Sequence, residues 1–98
     1  MITTKQRAFL RSEASRTETL YQIGKNGITG PIIKTLSDAL EARELIKISV
    51  HETCPDTPKE IMHSLCDKLG CEPVQVIGRK VIIYRRSSKN PVIELSLL

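Results

Sequence analysis

The segment Gly24-Lys25-Asn26-Gly27-Ile28-Thr29-Gly30-Pro31 constrains the fold of this chain more than any other. Asn26-Gly27 is typical of a β-hairpin turn, in which case the return strand would begin at Ile28. Gly30-Pro31 would interrupt that strand almost at once, whereas proline suits the first turn of a helix. The following apolar residues keep a helical period: Ile32, Ile33, Leu36, Ala39 and Leu40. We therefore predict a strand–loop–helix junction, with the helix over residues 31–43.

Two further helices are predicted from their capping residues. The first covers residues 3–14, with Thr3 or Thr4 as its cap. The second follows the capping box Thr57-Pro58-Lys59-Glu60, with proline in the first helical position. It ends at Gly70, a residue type that commonly follows the last turn of a helix.

Four strands complete the pattern, over residues 19–23, 44–50, 73–77 and 80–85. Gly78-Arg79 joins the last two strands as a two-residue turn. The order α-β-α-β-α-β-β predicts an α/β fold in which three helices pack on a mixed four-stranded sheet with crossover helices and one hairpin. We expect a single compact domain over residues 1–98, with a core of about 3–86. Residues 87–98 form a tail that is either an extra edge strand or a loose terminus.

Charge is distributed unevenly along the chain. The net charge of +4 divides into +4 for residues 1–34, −4 for residues 35–72 and +4 for residues 73–98. If the two basic ends fold side by side, they form one positive face, which is typical of a nucleic-acid-binding protein. No apolar run approaches the length of a membrane span and the N-terminus has no secretory signal, so we expect a cytoplasmic protein without a membrane partner.

The few aromatic residues narrow the mode of nucleic-acid binding. They make up 3% of the chain, as Phe9, Tyr21 and Tyr84, whereas surfaces that stack bases need exposed aromatic rings. A G-x-x-G loop such as Gly24–Gly27 needs none, because its glycines let the sugar-phosphate backbone approach. Lys25 is a cation for phosphate and Asn26 can both donate and accept hydrogen bonds.

Catalytic and metal-binding patterns are weak. The chain has no phosphate-binding or dinucleotide-binding glycine motif, and no nucleophile, base and orienting group can be named together, so we predict no enzyme activity, cofactor or small-molecule substrate. Three cysteines without a C-x-x-C motif favour reduced thiols. The pairs His51/Cys54 and His63/Cys66 could in principle hold zinc, but their spacing matches no established motif, and no metal site is predicted.

Several separated motifs resemble the CRM-domain family, in its stand-alone bacterial YhbY-type form. They lie in residues 4–14, in the loop Ile23–Thr29, in Leu45-Ile46-Lys47-Ile48 and in residues 74–85. The resemblance implies a fold similar to the C-terminal domain of bacterial initiation factor three. It also implies RNA binding through the glycine loop, and association with precursors of the large ribosomal subunit.

The predicted function is that of a non-catalytic, monomeric RNA-binding protein that associates with rRNA in pre-ribosomal particles of the large subunit. An alternative is a protein–protein adaptor in a ribosome-associated complex, acting through its sheet edge or its acidic middle helices. The loop residues predicted to contact RNA are Gly24, Lys25, Asn26 and Gly27. Cations predicted to flank or extend that contact are Lys5, Arg7, Lys34, Arg79, Lys80, Arg85 and Arg86.

Overall fold

Three helices and four strands alternate in the predicted order in a computed structural model that describes residues 2–95. The elements are α1 (Thr4–Ala14), β1 (Thr19–Ile23), α2 (Gly30–Arg43), β2 (Leu45–Val50), α3 (Pro58–Leu69), β3 (Glu72–Ile77) and β4 (Lys80–Tyr84). The predicted boundaries agree with these to within one residue at each end. The strand–loop–helix interpretation of residues 19–43 is thereby confirmed, and the alternative hairpin is not formed.

The four strands form one mixed sheet in the order β1-β2-β4-β3. β1 runs parallel to β2, and β4 lies antiparallel to both β2 and β3. Because β1 and β2 run in the same direction, the loops after Ile23 and Val50 emerge side by side at the same end of the strands. The Gly78-Arg79 turn lies at that end too, since Lys80 pairs with Ser49. We call this end of the strands the loop end of the sheet, and the opposite end of the strands the far end.

The helices begin where the capping residues predict. The Thr3 side chain accepts a hydrogen bond from the Gln6 backbone N–H at 3.1 Å, and the Gln6 side chain accepts one from the Thr3 N–H at 2.9 Å. Thr57 and Glu60 form the same reciprocal capping box at the start of α3. Each box satisfies two N–H groups that a helix terminus leaves unpaired.

Helices cover both faces of the sheet. Side chains alternate between the two faces along β2, and Ile46, Ile48 and Val50 pack in a cluster with the apolar sides of α2 and α3. Leu45 points to the other face, where it joins Leu10 of α1 in a second cluster. Burial on both faces explains why β2 and β4, the two central strands, are the most apolar. No helix within residues 2–95 combines the length and the apolar character that a membrane span needs.

The tail follows neither predicted alternative over residues 87–95. These residues form no strand, yet they pack against the domain, because Leu95 is buried in the second cluster and its carbonyl accepts a hydrogen bond from Gln6 Nε2 at 3.1 Å. Backbone N–H groups of the tail also donate to the buried Glu44 side chain. Residues 96–98 of the predicted tail lie outside the described residues.

Candidate nucleic-acid interface

The loop between β1 and α2 begins with a closed turn. The Gly27 N–H donates to the Gly24 carbonyl at 2.9 Å, and Gly27 adopts a left-handed φ of 64°. Lys25 and Asn26 occupy the tip of the turn and are exposed. Within residues 2–95 neither side chain has a hydrogen-bond or ion-pair partner. Both are therefore available to a ligand.

The two loop glycines have different surroundings. A Cβ added to Gly24 would meet no heavy atom within 4 Å, so a ligand could approach its backbone. Gly27 is buried, and a Cβ there would lie 3.6 Å from Pro55 Cγ. Gly27 therefore serves the backbone conformation of the turn and packs on the next loop. Of the two glycines, Gly24 is the one placed for close approach.

A second loop, between β2 and α3, lies beside the first. The His51 N–H donates to the Ile23 carbonyl at 2.8 Å, which ties the start of this loop to the end of β1. The N-termini of α2 and α3 consequently both lie at the loop end, where helix dipoles favour negative charge. The sequence reasoning did not include this second loop, although the predicted parallel pairing of crossover strands would have indicated it.

Both signs of charge occur at the loop end. Its exposed cations are Lys25, Lys59, Arg79 and Lys80, of which Lys59 was not predicted. Its exposed carboxylates are Glu52, Asp56 and Glu60. Hydrogen bonds from Thr57, chiefly from its backbone N–H, engage the Glu60 carboxylate and lower its pKa. The loop end is therefore not uniformly positive, and its affinity for phosphate depends on individual cations.

Arg79 and Lys80 lie at the loop end as part of the β3–β4 hairpin. Arg79 Nε donates to the Val50 carbonyl at 2.7 Å and Arg79 Nη2 donates to the His51 carbonyl at 2.9 Å. Lys80 Nζ donates to Thr19 Oγ1 at 3.3 Å. Arg79 thus holds the end of β2 while its side chain stays exposed.

An uncovered sheet surface adjoins the loop end. Lys80 and its cross-strand partner Ile77 lie on the same face as α1, beyond the part that this helix covers. Ile77 is 53% exposed. Polar Gln22, Ser49 and Gln75 lie on this face as well, by strand alternation and register.

The structure does not bring Lys5 and Arg7 to the loop, because the Ile2 N–H donates to Glu72 Oε1 at 2.9 Å and so ties the start of α1 to the start of β3. Arg7 Nε donates to the Pro73 carbonyl at 3.2 Å, near the start of β3, whereas the loop end lies beyond Ile77. At 3.3 Å per residue those two ends of β3 are about 16 Å apart. Lys34 lies in the second turn of α2, closer to the loop, and pairs with Asp38 at 3.2 Å on the exposed surface.

Arg85 and Arg86 lie at the far end as well. Arg85 is half-buried, and its guanidinium donates to the Leu69 carbonyl and to the Ser37 carbonyl, both at 3.0 Å. It therefore joins the end of α3 to α2. Arg86 is exposed. The cations that we predicted as one positive face are divided between two ends of the sheet, because β4 runs from one end to the other.

Metal binding by the two histidine–cysteine pairs has no geometric support. Residues 2–95 contain no group of three or more histidine, cysteine, aspartate or glutamate side chains arranged to hold a metal ion. His51 Nδ1 lies 2.9 Å from Thr53 Oγ1, and Cys54 is buried in the first apolar cluster.

The sequence matches a known domain family and several bacterial proteins. The CRS1 / YhbY (CRM) domain matches residues 2–85, which include all seven helices and strands of the described residues. The chain belongs to this family. The chain is 40% identical to the "Probable RNA-binding protein YqeI" of Bacillus subtilis, over 97% of this chain and 99% of that protein. It is 30% identical to the "RNA-binding protein" of Haemophilus influenzae, over 90% of this chain and 89% of that protein.

A solved structure has the same fold as this CRM domain. The solution structure of the hypothetical protein SAV1595 from Staphylococcus aureus is 45% identical in sequence and superposes with a TM-score of 0.80, over 96% of this chain and 98% of that one. The predicted α/β fold is thereby confirmed. The relatives from B. subtilis and H. influenzae are named for RNA binding and not for an enzyme activity, in agreement with the sequence prediction.

Proposed function

We propose that this CRM-domain protein is a non-catalytic RNA-binding protein whose Gly24–Gly27 loop contacts the RNA backbone. The observation that carries the proposal is the exposed pair Lys25 and Asn26, held at the tip of a turn that the Gly24–Gly27 hydrogen bond closes. The names of its relatives support the RNA partner.

Each part of the loop has a role in this proposal. The open Gly24 backbone lets a phosphate approach, and the Lys25 ammonium neutralises it. Asn26 hydrogen-bonds to phosphate or sugar oxygens. The N-terminus of α2 follows the loop directly and adds favourable dipole potential. Arg79 and Lys80 extend the contact along the loop end.

The surroundings of the aromatic residues favour backbone contact over base stacking. Tyr84 is buried, and Phe9 and Tyr21 are half-buried, so residues 2–95 offer no fully exposed aromatic ring. Recognition through phosphates is consequently expected to dominate, with affinity that falls steeply as salt rises.

The RNA that we propose as partner is that of a large-subunit precursor, bound by a monomer in the cytoplasm. This finer assignment rests on the resemblance of the chain to stand-alone YhbY-type proteins. Sedimentation of cell extracts tests it: the protein should migrate with large-subunit precursors and lose that association after RNase treatment. Association that survives RNase and depends on a protein would favour the adaptor instead.

The loop contact is tested with a double substitution and a matched control. Lys25→Asp plus Asn26→Asp should weaken binding of a structured rRNA fragment about tenfold or more and reduce the salt slope by about one. Lys89→Asp plus Asn90→Asp makes the same chemical change in an exposed Lys-Asn pair of the tail and should leave affinity unchanged.

Filter binding at several salt concentrations measures both quantities, and circular dichroism checks the fold. Equal affinity of the folded loop variant and the tail variant would refute the loop contact. If the wild-type protein bound no RNA, the function itself would be refuted.

A further inference from the structure

Two of the three cysteines are in contact at the end of α3. Cys71 Sγ donates a hydrogen bond to Cys66 Sγ, and the two sulfur atoms are 3.6 Å apart. Cys66 lies in the last turn of α3, and Cys71 immediately follows Gly70, which ends the helix with a left-handed φ of 63°. This reversal of the chain brings the two thiols together although five positions separate them.

We propose that Cys66 and Cys71 form an oxidation site that closes to an intramolecular disulfide when the protein meets hydrogen peroxide. The site is independent of the loop and of the proposed RNA binding, since it lies at the far end of the sheet, where β3 begins.

The two thiols differ in access. Cys66 is half-buried and Cys71 is buried, so an oxidant from solvent reaches Cys66 first. Cys54 is 8% exposed inside the first apolar cluster, and within residues 2–95 it makes no hydrogen bond to another thiol. It therefore serves as an internal control in the same molecule.

The two thiols also differ in acidity. The hydrogen bond from Cys71 stabilises the thiolate of Cys66 and lowers its pKa, although partial burial and the charges of Glu72 and Asp67 oppose this. The same hydrogen bond, together with burial, raises the pKa of Cys71, whereas Arg85 opposes the rise. The thiolate is the nucleophile, so Cys66 attacks the peroxide and Cys71 is the resolving cysteine, which then attacks the oxidised Cys66.

The chemistry balances with peroxide as the oxidant. The Cys66 thiolate attacks one peroxide oxygen, the O–O bond breaks, and hydroxide leaves as Cys66 becomes a sulfenic acid. Cys71 sulfur then attacks Cys66 sulfur, the S–O bond breaks, and the oxygen leaves as water with the proton from Cys71. In sum, two thiols and one hydrogen peroxide give one disulfide and two waters.

The required movement is small. A disulfide needs the sulfurs to approach from 3.6 Å to about 2.05 Å. Gly70 lies between them, and a glycine there accepts changes in backbone angles that other residues resist. The joint between α3 and β3 can thus adapt while both elements stay in place.

Peptide mapping of the native wild-type protein tests the proposal directly. Trypsin cleaves after Lys47, Lys59, Lys68 and Arg79, which separates the three cysteines into peptides 48–59, 60–68 and 69–79. The protein is treated with hydrogen peroxide, unfolded in urea that contains an alkylating agent so that buried thiols also react, and digested. Peptides 60–68 and 69–79 should appear joined, with the alkylated thiols per chain falling from three to one and dithiothreitol restoring them.

Two variants sharpen the test. Cys71→Ser should leave a sulfenic acid on Cys66 that dimedone traps, and Cys54→Ser should form the same linked peptides as the wild type. Unlinked peptides with three alkylated thiols would overturn the proposal. So would a link to peptide 48–59, or a link between two chains.

Discussion

The Glu44 carboxylate accepts a hydrogen bond from the Ser87 backbone N–H at 2.7 Å, across 43 positions of sequence. Glu44 is completely buried, and its Oε1 atom also accepts hydrogen bonds from the Val92 and Ile93 N–H groups. The side chain therefore resides inside the protein with its oxygens paired, and it holds the tail on the domain. Burial without these donors would be costly.

Glu44→Gln is expected to destabilise the protein by about 2 kcal/mol, because hydrogen bonds to charged groups are the stronger ones and the amide nitrogen would face backbone donors. Urea unfolding followed by circular dichroism measures this difference. Glu52→Gln, at an exposed position, should change stability by less than about 0.5 kcal/mol. Equal stability of the two variants would show that the tail contacts contribute little.

Removal of residues 87–98 tests the same contact from its other side. In the shortened chain Glu44 has lost its tail donors, so Glu44→Gln should lower the free energy of unfolding by much less than in the full chain. A cost that is the same in both chains would mean that Glu44 acts through α2 and β2 alone.

The loop glycines are expected to respond differently to alanine. Gly27→Ala should lower stability by about 1 kcal/mol or more, because a Cβ is disfavoured at a φ of 64°. Gly24→Ala should leave stability nearly unchanged, since nothing lies within 4 Å of the added Cβ, while it weakens RNA binding by obstructing the backbone. Thermal unfolding and filter binding separate the two effects. Undiminished RNA affinity of Gly24→Ala would argue against close approach at this glycine.

Arg85→Ala is expected to destabilise the protein by about 2 kcal/mol, because the guanidinium pairs the carbonyls of Leu69 and Ser37. Arg86→Ala removes the same charge from an exposed position and should leave stability within about 0.5 kcal/mol. Chemical unfolding of the two variants side by side gives the comparison. If Arg86→Ala proved the more destabilising, the assigned role of Arg85 would be wrong.

Alkylation of Cys66 should persist to lower pH than alkylation of the same cysteine in peptide 60–68. The hydrogen bond from Cys71 lowers its pKa in the folded state, against the opposing charges of Glu72 and Asp67, so the reactive thiolate survives as pH falls. Iodoacetamide rates measured across pH give the profile. Cys71→Ala removes the donor and should move the profile back towards that of the peptide; an unmoved profile would refute this cause.

Local patterns were sufficient to predict the elements and their order. Gly30-Pro31 and the box at Thr57–Glu60 mark helix starts, and alternation over 44–50 gives the two faces of β2. The family was recognised from motifs in the chain, and the domain match confirms it. Such features depend on neighbours within a few residues, and a single sequence displays them directly.

The arrangement of the candidate site depended instead on contacts between distant residues. Arg85 and Arg86 are adjacent cations in the sequence, yet one bonds to two helix carbonyls and the other is exposed. Arg7 is basic like Lys25 but donates to Pro73 near the far end of the sheet, and Gly27 resembles Gly24 but packs on Pro55. The sequence by itself determined which elements form, because propensity and capping act locally. Only the tertiary structure decided which charges meet and which glycine stays open, because strand order and packing bring together residues that are far apart in the chain.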